Sequence, residues 1–480
     1  MRDNVNETNK VESQKNQVDE KLSAKYLALC PLDGRYASIG EELAPYFSEY
    51  ALVKHRVYVE VNWLVFLLLE LGKGASPILD AFEKERILEI KAIYDEFDAN
   101  SFKRVKEIEA VINHDVKAVE KYVAEQLKEK GMESLISYVH IGCTSEDITN
   151  IAYALMIKEA LRMVWFPNVR RLIEKLQEMT NKYANIPMLA HTHGQPATPT
   201  TVGKEMAVYV HRMEKSAELV NSCKIEAKFN GATGNYSAIS VAFPEYSWPR
   251  LSEMFVEDYM KLNFNPLTTQ IENHDYICHI ADAIRHFNNI LLDFDLDMWM
   301  YISMEYFKQI PVKNEVGSST MPHKVNPIRF ENSEANIDMS NAIFMALSNK
   351  LPRSRMQRDL SDSSSQRNLG MGFGYSIQAI MQTIGGLEKV QVNQEKLAAD
   401  LNSKWEVLAE PIQTVLRKYG IPDAYDQLKE LTRGKGISKE AIQEFIQGLD
   451  VLSESDREYL LELRPENYIG GAEVIALLWG

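Results

Sequence analysis

Cysteine is scarce in this chain: four among 480 residues, at Cys30, Cys143, Cys223 and Cys278, with no CxxC pair. That spacing offers neither a disulfide framework nor a thiolate zinc site, and it suits a reducing compartment. Long apolar runs are lacking too. The greasiest, Trp63 to Leu71 (WLVFLLLEL), is about half the length of a membrane-spanning helix and carries Glu70. The first residues hold no apolar signal core, so a cytoplasmic protein with no membrane partner is expected. Positive charge is in deficit: 53 Lys plus Arg against 68 Asp plus Glu leaves −15. A general nucleic-acid binder needs the opposite field, so no nucleic-acid partner is expected. An anionic ligand would have to be met by basic groups concentrated locally. Neither GxxxxGK[ST] nor GxGxxG occurs, which leaves ATP hydrolysis and dinucleotide binding unsupported.

What the chain has in abundance is helical periodicity. Between Pro266 and Pro311 lie 44 residues without Gly or Pro. Within them Ile277, Ile280, Ile284, Phe287, Leu291, Phe294, Met298 and Tyr301 recur at alternating spacings of three and four, the stripe of a helix packed along its length. Residues 204–230 form a second such stretch. A third runs from Glu146 to Ile186, broken only by Pro167, where a kink is expected. Period-two alternation is rare and no βαβ rhythm appears. The expected fold is all-α: a long central helix bundle with smaller N- and C-terminal helical domains. Helices of roughly 40 residues, about 60 Å, would overrun one compact domain and continue their apolar faces into partner subunits. The expected divisions are a disordered polar tail over 1–22, an N-terminal domain over 23–132, a bundle over 133–386 and a C-terminal domain over 387–480. The inner boundaries fall near Gly131 and the pair Gly385-Gly386.

Five segments could carry chemistry. Gly317 to Pro327 reads GSSTMPHKVNP, dense in hydroxyls beside a Lys and a His. It is either a loop capping the next helix or a site where loop N–H groups and Lys324 stabilise a serine oxyanion. His191 to Pro196 reads HTHGQP; an HxH pair on a strand could hold a metal, but no third ligand adjoins it, and a general acid is the readier use. Asn113-His114-Asp115 and Thr144-Ser145-Glu146-Asp147 are N-caps, the second with capping-box character, or helix starts that hold a substrate carboxylate. Arg353, Arg355, Arg358 and Arg367 crowd one segment, as a solvated face or as a clamp for phosphate or carboxylate. Asp293, Asp295 and Asp297 lie on a helical pattern without a calcium loop's glycine and are set aside as metal ligands.

The GSSTMPHKVNP loop resembles the GSSxMPxKxNP loop of the fumarase/aspartase superfamily. PLDGRY at 31–36, INHDVKAVE at 112–120, TSEDITN at 144–150, THGQPA at 192–197 and QRDLSDSSSQRN at 357–368 resemble the branch that acts on adenylosuccinate. The likeness runs from about residue 27 onward. It implies two β-eliminations, of adenylosuccinate to AMP and fumarate, and of SAICAR to AICAR and fumarate. No metal or other cofactor is expected, because the cysteines are scattered, the HxH pair lacks a third ligand and such an elimination can run on acid–base and oxyanion groups alone. The resemblance implies Ser318 as base and His193 as general acid. Lys324 and Asn326, with Thr144, Ser145 and Gln270, would hold the succinyl carboxylates and the developing charge. Arg35, Tyr36, Arg358, Ser363 and Arg367 would bind the nucleotide end, and His114 and Asp115 would contact substrate. Asn113, Ser319, Val325 and Asn332 complete the implied substrate-binding set. The resemblance further implies a homotetramer whose sites are shared between chains. Departures are the N-terminal extension, Arg329 where relatives often carry Asp, and SSSQR in place of STxxR. The competing readings are a sister elimination, such as that of argininosuccinate, and a silent structural protein on the same bundle.

Overall fold

The computed structural model describes residues 26–72, 74–311, 321, 324–424, 426, 428 and 438–479. The tail expected over 1–22 lies outside them. The longer helices are α1 (Ala37–Phe47), α2 (Glu49–Glu70), α3 (Ala99–Ile112), α4 (Asp115–Glu129), α5 (Ser145–Ala160), α6 (Phe166–Lys182), α7 (Val202–Asn221), α8 (Asp275–Ser303), α9 (Ile328–Lys350) and α10 (Leu369–Leu387). Strands among the described residues are two or three residues long and join only in pairs. The fold is all-α. Two compact units emerge: Met1–Pro167 with Val220–Arg285 and Asp338–Gln378, and Asn168–Leu219 with His286–Ile337 and Ala379–Gly480.

In the first unit α2 is buried on nearly every face, which is why its sequence reads as an apolar run rather than a stripe. Ser48 caps it by accepting from the Ala51 N–H. Trp63 anchors an aromatic cluster, its ring centroid 4.3 Å from Phe229 and 5.1 Å from Phe255. Glu70, the charge at the end of the run, accepts from the Tyr259 hydroxyl. Gly131, left-handed at φ 67°, ends α4. The irregularity expected at Pro167 lies one turn earlier, as a π-helical turn over Leu161–Trp165 in which the Phe166 N–H reaches back to Leu161. Proline cannot donate to the Met163 carbonyl and its ring crowds that oxygen; widening the preceding turn accommodates both demands without ending the helix.

Along α8, the residues from Ile277 to Met298 that form the apolar stripe are buried and Tyr301 is half-buried. The helix is nevertheless shorter than expected, 29 residues rather than roughly 40, or about 43 Å. It begins at Asp275 because 268–274 is occupied by the polar contacts described below. It ends because Glu305 turns left-handed at φ 63°, with Glu305 N–H bonding Ile302 and Tyr306 N–H bonding Tyr301, a Schellman closure without its usual glycine.

In the second unit the Gly385-Gly386 pair does not break α10, which runs to Leu387. A Cβ on Gly385 would stand 2.2 Å from the Arg329 guanidinium, and one on Gly386 2.8 Å from the Phe330 ring. These glycines are sockets for side chains of α9, and Arg329 is thereby given a packing role. The three aspartates set aside as metal ligands lie on α8 with partners of their own: Asp293 with Arg212 at 2.5 Å, Asp295 with Thr383 at 2.8 Å and Asp297 with Tyr209 at 2.6 Å. Burial pushes the Asp295 carboxyl well above its usual range, and the Thr383 and Ser333 hydroxyls only partly offset it. Further along, Leu408, Ile412, Leu416, Ile442, Ile446 and Leu460 share one apolar cluster of short helices.

Candidate active site

The N-terminus of α5 carries two adjacent carboxylates with separate duties. Asp147 accepts the Thr144 N–H at 2.8 Å, its half of a capping box. Its other contacts reach a distant segment: Lys228 Nζ at 2.9 Å, with both side chains fully buried, the Asn230 N–H at 3.0 Å and the Gly231 N–H at 3.1 Å. Asp147 is thus a fastening between α5 and 228–231. Glu146 is also buried, and Arg358 Nη2 donates to it at 2.9 Å. Burial drives the Glu146 carboxyl up, while Arg358 and His274 pull against it.

Arg358 is a bridge rather than a solvated charge. Its Nη1 donates to Gln270 Oε1 at 3.2 Å, and the Gln270 amide in turn donates to the Ala232 carbonyl at 3.0 Å. The helix start at Thr144-Ser145, Gln270 and the arginine segment are therefore brought together. Four residues beyond Gln270, His274 is buried and left-handed at φ 62°. Its Nε2 lies 3.3 Å from Asp362 Oδ2, its own N–H donates to Glu272 at 2.6 Å, and the Gln366 amide nitrogen is 3.1 Å from the ring. Burial opposes charge on Asp362; the His274 contact, the Ser363 N–H and Arg358 together outweigh it and hold its carboxyl below the usual range.

A second group surrounds Arg367, which pairs with Glu49 at 2.6 Å and lies 3.6 Å from Asp115. Asp115 also takes buried Arg56 at 2.8 Å. Burial raises its carboxyl, but Arg56, the Val116 N–H and Arg367 prevail and lower it. Asn113 is the left-handed residue ending α3, and His114 caps α4 by accepting the Lys117 N–H on Nδ1 at 3.1 Å. Arg35 is exposed beside Tyr36, which begins α1. Ser363 sits in the short helix Ser361–Gln366. Of the other two arginines, Arg355 pairs with Asp359 at 3.3 Å and both Arg353 and Arg355 are exposed.

In the second unit, strands β1 (His191–Thr192) and β2 (Gln195–Pro196) form a hairpin with His193 and Gly194 at its tip. Both tip residues are left-handed, at φ 54° and 72°, the two-residue turn that matches strand twist. His193 therefore stands on the turn and not on the strand with His191. Lys324 is exposed, the Val325 carbonyl accepts from Gln309 at 2.9 Å, and Asn332 accepts from Asn336 on α9. Ser318 and Ser319 lie outside the described residues.

Sequence reasoning did not reach His274, Glu272, Asp362 or Glu49. The signal for the first two was the polar run TTQIENHD at 268–275, too hydrophilic for the buried helix assigned to it.

Residues 34–340 match the family described as "Lyase". The fold is shared with the 3-carboxy-cis,cis-muconate lactonizing enzyme of Pseudomonas putida, at 18% identity and TM-score 0.70 over 92% of this chain and 96% of that one. It is shared also with a fumarate lyase from Mesorhizobium sp. BNC1, at 16% identity and TM-score 0.70 over 91% and 96%. This bundle and this match define a lyase of the fumarase/aspartase class. Residues 354–469 match the family described as "Adenylosuccinate lyase C-terminal". Over 446 residues, 93% of this chain and 97% of theirs, it is 48% identical to the adenylosuccinate lyase of Escherichia coli (strain K12) and 47% identical to that of Vibrio cholerae. The chain belongs to the adenylosuccinate lyase family, carbon–nitrogen lyases of purine biosynthesis.

Proposed function

We propose that this enzyme eliminates fumarate from adenylosuccinate, giving AMP, and from SAICAR, giving AICAR. The base, Ser318, takes the proton from the carbon next to the outer succinyl carboxylate, and the electron pair passes into that carboxylate. As it returns, the carbon–nitrogen bond breaks and His193 gives a proton to the departing nitrogen, so that fumarate and the amine leave in balance. Lys324, Asn326 and the N–H groups near Ser145 stabilise the charge that develops. Arg35, Tyr36, Arg367 and Ser363 take the nucleotide end. These steps draw on acid–base and oxyanion groups alone and need no cofactor. The active form is a homotetramer with sites shared between chains, a reading supported by exposed Leu296, Trp299 and Met300 on α8.

The observation that carries this reading is Arg358, held between Glu146 at the start of α5 and Gln270. It draws the start of α5 with its Thr144 and Ser145, the Gln270 amide and the arginine segment into one place, the three parts the proposed site needs close together. The test is direct: purified protein is given adenylosuccinate and, separately, SAICAR, and ultraviolet absorbance is followed. Conversion of both is expected; no change at high enzyme concentration overturns the proposal.

A further inference from the structure

We propose that His274 is a positioning residue of this site, acting through Asp362 to hold the 358–367 segment in register with Gln270. The inference rests on the functional reading above and extends it to a residue that does not itself touch substrate. Two polar bridges join the segments. One is Arg358 to Gln270 at 3.2 Å; the other is His274 to Asp362 at 3.3 Å, with Gln366 against the same imidazole at 3.1 Å. A single hydrogen bond leaves a segment free to swing about it, whereas two bonds four residues apart fix orientation as well as distance. Asp362 is flanked by the two groups being placed: Ser363 follows it directly and Arg358 lies one turn's length before it.

The backbone supports the same assignment. His274 holds a left-handed conformation, which costs an L-residue about 1–2 kcal/mol, and it is buried at 1% exposure. Such a conformation persists where surroundings over-determine it, and here they do: its N–H is taken by Glu272 and its ring by Asp362 and Gln366. Glu272 is anchored in turn by Asn265 at 2.9 Å. The imidazole therefore starts from a fixed point in 265–274 and ends on the arginine segment.

Two variants separate position from fold. His274→Asn suits the left-handed backbone but is too short to reach Asp362; His274→Gln places an amide nitrogen near the position of Nε2. Steady-state kinetics with adenylosuccinate is expected to show KM raised at least tenfold in His274→Asn, kcat changed less than threefold, and most of the KM recovered in His274→Gln. Asp362→Asn tests the other end, and the double variant His274→Asn/Asp362→Asn is expected to be no worse than the poorer single one. Unchanged KM in His274→Asn, or losses that multiply in the double variant, overturn the proposal. Equal losses in the Asn and Gln variants with lowered melting temperatures also overturn it, assigning His274 to stability alone. Gln270→Ala and Arg358→Ala serve as references. If they too leave KM unchanged, the site reading has failed; if they raise it while His274→Asn does not, only the positioning role has.

Discussion

Arg358 spends its guanidinium on two acceptors set at different angles, Glu146 and Gln270. A lysine ammonium lacks the rigid planar fork that presents two separate nitrogens to the two acceptors. Each charge-assisted hydrogen bond contributes about 1.5–3 kcal/mol, so Arg358→Ala is expected to raise KM by roughly 10- to 100-fold, with Arg358→Lys recovering little; initial-rate kinetics checks both. Asp115 gives a pH prediction. Its folded pKa is depressed, so its contribution to stability is present above the unfolded carboxylate value and is lost as pH falls through the folded one. The melting temperature of Asp115→Asn is expected to lie below that of the unaltered protein at neutral pH, with the gap closing below about pH 4. The arginines were legible because guanidinium density stands out in an acidic chain. His274 was not, since a lone imidazole in a Gly- and Pro-free stretch carries no pattern until its partners, 88 and 92 residues away, are known.

Elements were legible wherever one face repeats. The apolar stripe of α8 placed its buried side correctly, and TSED did mark the start of α5. Helix ends were less so, because Glu305 adopts at the end of α8 a conformation that sequence rules reserve for glycine. That departure has a measurable cost. Relieving about 1–2 kcal/mol of left-handed strain against about 0.5–1 kcal/mol of added backbone entropy leaves Glu305→Gly stabilising by about 0.5–1 kcal/mol, readable as a higher denaturant midpoint. The junction of α5 with 228–231 predicts the opposite sign. Lys228→Ala leaves Asp147 buried without its cation, a loss of about 3–5 kcal/mol, to be checked by urea unfolding.

For the whole molecule, the short apolar runs argued against membrane-spanning helices, and no described helix is long and apolar enough to cross a membrane; the missing GxxxxGK[ST] and GxGxxG motifs left ATP hydrolysis and dinucleotide binding unsupported. Composition could not say how chains combine, because an apolar residue on a long helix reads the same whether a neighbouring helix or another subunit covers it. Complementation addresses that. His193→Ala and Ser318→Ala are each expected to be inactive, and mixing them with subunit exchange is expected to restore roughly a quarter of the sites if each is assembled from different chains. Recovered activity well above either parent is the expected outcome. None, with exchange verified by mass-labelled subunits, places both residues in one chain's site.

The paired carboxylates at the start of α5 also bear on how the protein is made. Glu146 and Asp147 leave the ribosome together, but the Asn230 contact to Asp147 lies 83 residues downstream and the Arg358 contact to Glu146 lies 212. At about 5–20 residues per second the longer interval lasts roughly 10–40 s. Throughout it the nascent chain holds an acid destined for burial whose counter-ion has yet to be translated. Nascent chains stalled before Arg358 should therefore keep this corner open and open to protease, and the last stretch of translation to close it.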